Sequence, residues 1–265
     1  MRKKIFCFMM VPLAVTLLLG GCAKQEPAED DLPQLVIGSD DYHPYNYIDE
    51  SGSPAGIDVD IAQEACRRIG YEAVFHQINW NEKDSLLASG EVDCLWGCFS
   101  MNGREDDYLW AGPYAYSIQS VAVLANSDIN TFSDLESKRV AVQMSSKAES
   151  IFSDMTDERI PEVINIYCML NTDEMATALR KCYVDACAGH EFALRDALNE
   201  AGIEFRILDE DLLRSELGVA FSLDGDAALR DKLAAVLEEM RSDGTMEQIF
   251  SRYDIDVEKS LGRAE

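Results

Sequence analysis

The sequence predicts an α/β protein of two similarly built lobes. Three observations carry that expectation: strand and helix signals alternate along the chain, the alternation stops and restarts once, and a lone apolar strand precedes the closing helices. Leu35-Val36-Ile37-Gly38 has the composition of a strand and leads into an aromatic loop. Residues 57–69 place apolar side chains at helical spacing, and Gly70 supplies the stop. A strand over 73–78, a short helix over 82–89 closed by Gly90, and a strand over 92–96 follow. The apolar stretch 121–124 then gives way to the polar residues 126–131, where the first series ends.

The second series runs strand 140–142, helix 147–152, strand 163–166, helix 173–181, strand 184–188, helix 191–201 and strand 205–208. A further strand over 217–221 precedes helices over 226–241 and 245–253. Such alternation favours largely parallel strands covered by helices. The most economical division places residues 34–122 and 218–265 in one lobe and 123–217 in the other. Strands near Val121 and Leu217 then cross between the lobes. A cleft between lobes joined in this way suits a small molecule, and hinge closure is its expected motion.

The amino-terminal end predicts export and anchoring. Arg2, Lys3 and Lys4 precede an apolar run from Ile5 to Leu19, and Gly20-Gly21 lead to Cys22, the pattern of a lipoprotein signal peptide over residues 1–21. The run is shorter than the roughly 20 residues a spanning helix needs. Cys22 is expected to carry diacylglycerol and an N-acyl chain such as palmitate, which together give stable attachment to a lipid bilayer. Residues 22–33 are polar and acidic and include Pro27 and Pro33, the composition of a flexible tether. The expected location is therefore extracytoplasmic, on the outer face or periplasmic side of a membrane.

The chain carries a formal net charge of −26, and loss of the three cations in the signal peptide takes it to −29. A charge of that sign and size excludes nucleic acid as a partner and favours a self-repelling monomer. Besides Cys7 and Cys22, cysteines stand at 66, 94, 98, 168, 182 and 187. An exported protein can form disulfides. Cys94 and Cys98, in an extended stretch, would lie about 13 Å apart and out of bridging reach. With no histidine beside them they make a poor metal site, and neither a metal nor a cofactor is expected.

A longer set of residues carries a family resemblance. Pro44-Tyr45 is followed by Asp49 and Gly52, and then by Gly56-Ile57-Asp58-Val59-Asp60-Ile61-Ala62. Trp80, Leu86-Leu87-Ala88-Ser89-Gly90, Asp93, Arg104, Gly112-Pro113-Tyr114, Asp134-Leu135, Val140-Ala141-Val142-Gln143, Val184-Asp185-Ala186 and Asp243-Gly244 come next. In this order and register the chain resembles the family 3 extracellular solute-binding proteins, receptors of polar-amino-acid ABC transporters. The resemblance runs over nearly all of residues 34–253. It implies a two-lobed periplasmic-binding-protein-like fold of type II with two hinge-crossing segments, and a membrane ABC permease as partner.

A free amino acid needs a guanidinium for its carboxylate, an acid for its ammonium, and aromatic walls that exclude water. The resemblance implies that Arg104 binds the carboxylate, although its surroundings alone, Asn102-Gly103-Arg104-Glu105, read as a solvated loop. Tyr42 and Trp80 fall at the aromatic walls; packing in a core or loop is the alternative for both. Phe99 and Ser100 lie in a strand-end loop that offers backbone and hydroxyl contacts. Ser145-Ser146-Lys147 opens a helix whose amino terminus favours a carboxylate, with Ser146 keeping a hydroxyl and Lys147 adding a cation.

One departure from the pattern bears on the ligand. Five residues after Asp185, where these receptors carry an aspartate for the ammonium, stands His190. A neutral imidazole accepts one hydrogen bond and brings no negative charge. Either the adjacent Glu191 substitutes for it, or the ligand is not an ordinary α-amino acid. The leading expectation is a non-enzymatic receptor for an amino acid or a related small carboxylate. Micromolar capture asks for about −8 kcal/mol, within reach of an aromatic sandwich and one carboxylate clamp. The alternatives are a dehydratase-like enzyme on the same fold, with His190 or Glu191 as its acid, and a sensor serving a separate signalling chain.

Overall fold

The computed structural model describes residues 32–155 and 157–263. The expected signal peptide, the lipidation site Cys22 and the tether up to residue 31 lie outside the described residues. β1 (Gln34–Ser39) begins where the tether was expected to end and buries Leu35 and Ile37. A small hairpin of β2 (Tyr47–Ile48) and β3 (Pro54–Ala55) leads into α1 (Ile57–Ile69). The helix has the predicted ends for physical reasons. Asp58 and Asp60 occupy its first turn and Arg67 and Arg68 its last, each complementing the helix dipole, and Gly70 adopts the left-handed conformation with φ 76°. At Gly56, φ is 123° and a Cβ would stand 2.3 Å from the Tyr45 carbonyl oxygen, so only glycine fits.

β4 (Glu72–Gln77), α2 (Lys83–Ser89) and β5 (Cys94–Leu95) follow, with a 3-10 turn at Trp80–Glu82 ahead of α2. β6 (Leu109–Leu124) is 16 residues long, far longer than the predicted stretch 121–124. Gly112-Pro113 disguises its first half in the sequence. Opposite these residues the partner strand shifts register between Leu217 and Val219, and a Cβ on Gly112 would lie 3.1 Å from the Gly218 Cα.

The second series comprises β7 (Arg139–Gln143), α3 (Lys147–Ser153), β8 (Asn165–Met169), α4 (Thr172–Arg180), β9 (Ala186–His190), α5 (Glu191–Glu200) and β10 (Phe205–Ile207). β11 (Leu213–Phe221), α6 (Ala227–Ser242), α7 (Thr245–Phe250) and α8 (Val257–Ser260) complete the chain; α8 was not anticipated. Among the described residues one sheet runs β4-β1-β5-β11-β6-β9-β7-β8, with β10 on β6. β1 is parallel to β4 and β5, and β7 is parallel to β8 and β9. Between these parallel triplets lie β6 and β11, antiparallel to each other, as the two crossing segments.

Burial follows the same division. Apart from Ala193, two clusters of buried side chains draw on residues 35–115 and 217–261, including Trp96, Phe221, Leu233 and Phe250. Two others draw on residues 121–212, including Phe132, Val140, Phe152 and Leu179. Each triplet is tied by an equivalent aspartate. Asp93 accepts from the Val36 backbone at 2.7 Å, and Asp185 accepts from the Arg139 backbone at 2.8 Å and from its guanidinium. Both aspartates precede a strand and pin the neighbouring one. The six cysteines from Cys66 to Cys187 are free thiols, and burial pushes those of Cys66 and Cys187 up to about 12.

Candidate functional site

The carboxyl ends of β1, β5, β7 and β9 converge on one cavity, the position at which open α/β sheets bind ligands. Eight of the nine side chains expected around a ligand line it: Tyr42, Trp80, Phe99, Ser100, Arg104, Ser146, Lys147 and His190. Asp40, Gly97, Cys98, Gln143 and Ser145 join them; Gln143 and Ser145 stood in the quoted motifs and Cys98 among the cysteines, but none was assigned to the ligand.

The loop after β5 is held from beneath by a buried carboxylate. Asp58, on α1, accepts from the Cys98 backbone N–H at 2.6 Å, from the Tyr114 hydroxyl at 2.9 Å and from the Asn46 amide at 3.4 Å. Burial raises this carboxyl to about 7 despite those donors. The aspartate of the Gly56-Ile57-Asp58 motif thus shapes the turn that presents Phe99 and Ser100.

Phe99 is the hub of the aromatic wall. Trp80 meets its edge at 5.0 Å, Trp110 lies at 5.1 Å, and the Arg104 guanidinium stands 5.2 Å from its ring centroid. Trp80 packs on Phe99 in the core and also faces the cavity. Arg104 donates to the carbonyls of Ser100 at 3.2 Å and Ser145 at 3.4 Å. It forms no ion pair among the described residues, and its burial makes the lone charge costly. The Trp110 indole N–H holds the Arg104 carbonyl at 2.9 Å, fixing the arginine's backbone.

On the opposite wall the residues differ from expectation in three respects. His190 faces the cavity, but both ring nitrogens are engaged: Nε2 lies 2.9 Å from Gln119 Nε2, and Nδ1 lies 3.0 Å from Ser117 Oγ. Burial lowers this imidazole to about 3, so it is neutral and offers a ligand only its ring.

Glu191 does not supply the missing negative charge. In the first turn of α5 it accepts from Arg195 at 2.6 Å, and it lines a different cavity. Ser146 caps α3 with its hydroxyl, accepting from the Glu149 N–H at 3.1 Å, while the Glu149 carboxylate accepts from the Ser145 N–H. The helix therefore satisfies part of its own amino terminus, which weakens the expected anion site there.

A carboxylate that lines the cavity is Asp40, just past the end of β1. Its carboxylate accepts from Gln143 Nε2 at 2.6 Å, and burial raises it to about 6. Gln143 and Asp40 thus meet across the cavity, as do Ser145 and Asn81 at 2.9 Å. The space between the walls is ≈ 30 Å³.

A second cavity, of ≈ 320 Å³, borders β6, β11, α5 and α8 and shares no lining residue with the first. Arg195 pairs with Glu191, Arg214 lies 4.6 Å over the Tyr116 ring, and Asp211, Asp254 and Asp256 line the same space as Lys259.

The sheet order, the paired crossing strands and the cavity at the strand ends define a two-lobed periplasmic binding protein of type II, a class built to capture solutes. Residues 35–255 match the model of the bacterial extracellular solute-binding proteins, family 3, and the chain belongs to that family. It is 25% identical to the probable amino-acid-binding protein YxeM of Bacillus subtilis, covering 97% of this chain and 98% of that one. The histidine-binding periplasmic protein of Salmonella typhimurium is 28% identical over 85% of this chain and 90% of its own. Among solved structures, Tv2483 bound to L-arginine superposes with a TM-score of 0.78 at 28% identity, covering 88% of this chain and 94% of that one.

Proposed function

We propose that this protein is the amino-acid-binding lipoprotein of an ABC transporter, anchored through Cys22 and closing on its ligand without catalysing a reaction. Residues 34–122 and 218–265 form one lobe and residues 123–217 the other, with β6 and β11 as the hinge. The observation that carries the reading is a matched pair of charges in one cavity. Arg104 is a half-buried guanidinium whose partners are two carbonyls and the Phe99 ring, and Asp40 is a carboxylate whose direct partner is a neutral amide. Arg104 clamps the ligand carboxylate and Asp40 takes an ammonium or another cationic group, while Trp80, Phe99 and Tyr42 exclude water.

Lys147 adds positive potential near Arg104, and burial together with that neighbouring charge lowers its pKa. Asp40 restores what His190 removed, so an amino acid is again the natural ligand. Relatives that bind histidine and arginine support that class. The dehydratase alternative loses its two acids, since His190 is neutral with both nitrogens engaged and Glu191 faces another cavity.

A thermal-shift screen of amino acids, dicarboxylates and amines, repeated on Arg104→Ala, tests the proposal. Amino acids should stabilise the wild type and not the variant. Stabilisation by amines alone, or turnover of prephenate or arogenate, would overturn it.

A further inference from the structure

We propose that His43, Asp196 and Glu200 form a binding site for a divalent transition cation of the zinc class that staples the two walls of the cleft together. One ligand atom from each of these residues lies within 4.8 Å of the others. His43 follows Tyr42 on the segment between β1 and β2, whereas Asp196 and Glu200 are one turn apart on the same face of α5.

Two observations point to an ion in addition to the grouping itself. The His43 ring is held against Tyr47 with centroids 3.8 Å apart and an angle of 20°, which fixes the direction of its nitrogens. Asp196 Oδ2 is buried without a hydrogen-bond partner and lies 3.8 Å from His43 Nδ1. That separation is too long for a hydrogen bond. Two ligands of a tetrahedral zinc with bonds of about 2.0–2.1 Å stand roughly 3.4 Å apart, so a shift of a few tenths of an ångström brings both atoms into coordination.

The charge and donor set favour the same occupant. No lysine or arginine pairs with Asp196 or Glu200 among the described residues, and Asp173 adds further negative potential. One imidazole with two carboxylates suits zinc-class ions, and partial exposure leaves room for water as a further ligand. Because His43 adjoins Tyr42, which lines the ligand cavity, an ion here fixes the aromatic wall as it joins α5 to the segment after β1. This coupling rests on the lobe division proposed above, but binding of the ion does not.

The test is a zinc titration of the full chain, with the exposed thiols of Cys168 and Cys182 capped by iodoacetamide, against a competing chromophoric chelator. One zinc should bind, and both His43→Ala and Glu200→Gln should weaken it at least tenfold. Glu200 is exposed, so its substitution tests the site without threatening the fold. Absence of zinc binding, or affinity unchanged in both variants, would overturn the site. Zinc should also slow release of a bound amino acid at least threefold in the wild type and not in Glu200→Gln. Zinc binding that left release unchanged would overturn the staple. Failure of every amino acid to bind would show in the release measurement alone, since the titration contains none.

Discussion

The cavity at the strand ends and the one beside α5 and α8 differ in size and in the residues that surround their charges. The cavity bordered by β6, β11, α5 and α8 has ≈ 320 Å³, and in it Arg195 pairs with the Glu191 carboxylate and Arg214 lies over the Tyr116 ring. The cavity at the strand ends has ≈ 30 Å³ but sets Arg104 and Asp40 against neutral partners. A charge withdrawn from water without a counter-charge is expensive, and a ligand of complementary charge recovers that cost. Volume in a hinged protein changes with the hinge, whereas the placement of unanswered charge is built into the strand-end loops. The lesson is that electrostatic incompleteness marks the site where size does not.

Substitutions can break or sharpen this contrast. The largest effect is expected at Arg104→Ala, which should weaken the preferred amino acid by about 3 kcal/mol, roughly 100-fold, in calorimetric titration. Asp40→Asn keeps the shape and removes the charge, and should cost about 2 kcal/mol for the same ligand. Asp40 also sets a pH dependence. Its folded carboxyl titrates at about 6, so below that pH a ligand ammonium must displace a proton. Affinity should fall about tenfold per pH unit below that point and level off above it, and Asp40→Asn should flatten the profile. Trp80→Ala should cost about 1 kcal/mol through lost aromatic contact. At the other cavity, Arg214→Ala should leave affinity within about 0.5 kcal/mol. A loss there as large as that at Arg104 would erase the distinction between the cavities.

The fold was largely legible because its punctuation is local. Gly56 and Gly70 bracket α1, and both ends of that helix follow from residues beside them. The parallel triplets and the crossing pair followed from alternation and restart. The first half of β6 was hidden because Gly112-Pro113 looks like a break and becomes a strand only through pairing with β11, about 100 residues away.

That Trp80, Phe99 and Arg104 line one cavity was legible from the register of the motifs. The role of His190 was not, since Ser117 and Gln119, which engage its nitrogens, stand 73 and 71 positions earlier. An acid was sought beside His190, whereas the carboxylate that lines the cavity is Asp40, immediately after a strand whose carboxyl end faces the cleft. That position was the available signal, and it needed the strand order to be recognised.

The central claim is that Arg104 and Asp40 read the two charges of one amino acid. Its most direct test is a calorimetric comparison of the preferred amino acid with its decarboxylated amine and its deaminated acid at pH 7.5. Each truncated ligand should bind at least 30-fold more weakly, about 2 kcal/mol, with Arg104→Ala erasing the difference for the amine and Asp40→Asn that for the acid. An amine or acid that binds the wild type as tightly as the amino acid would contradict the account.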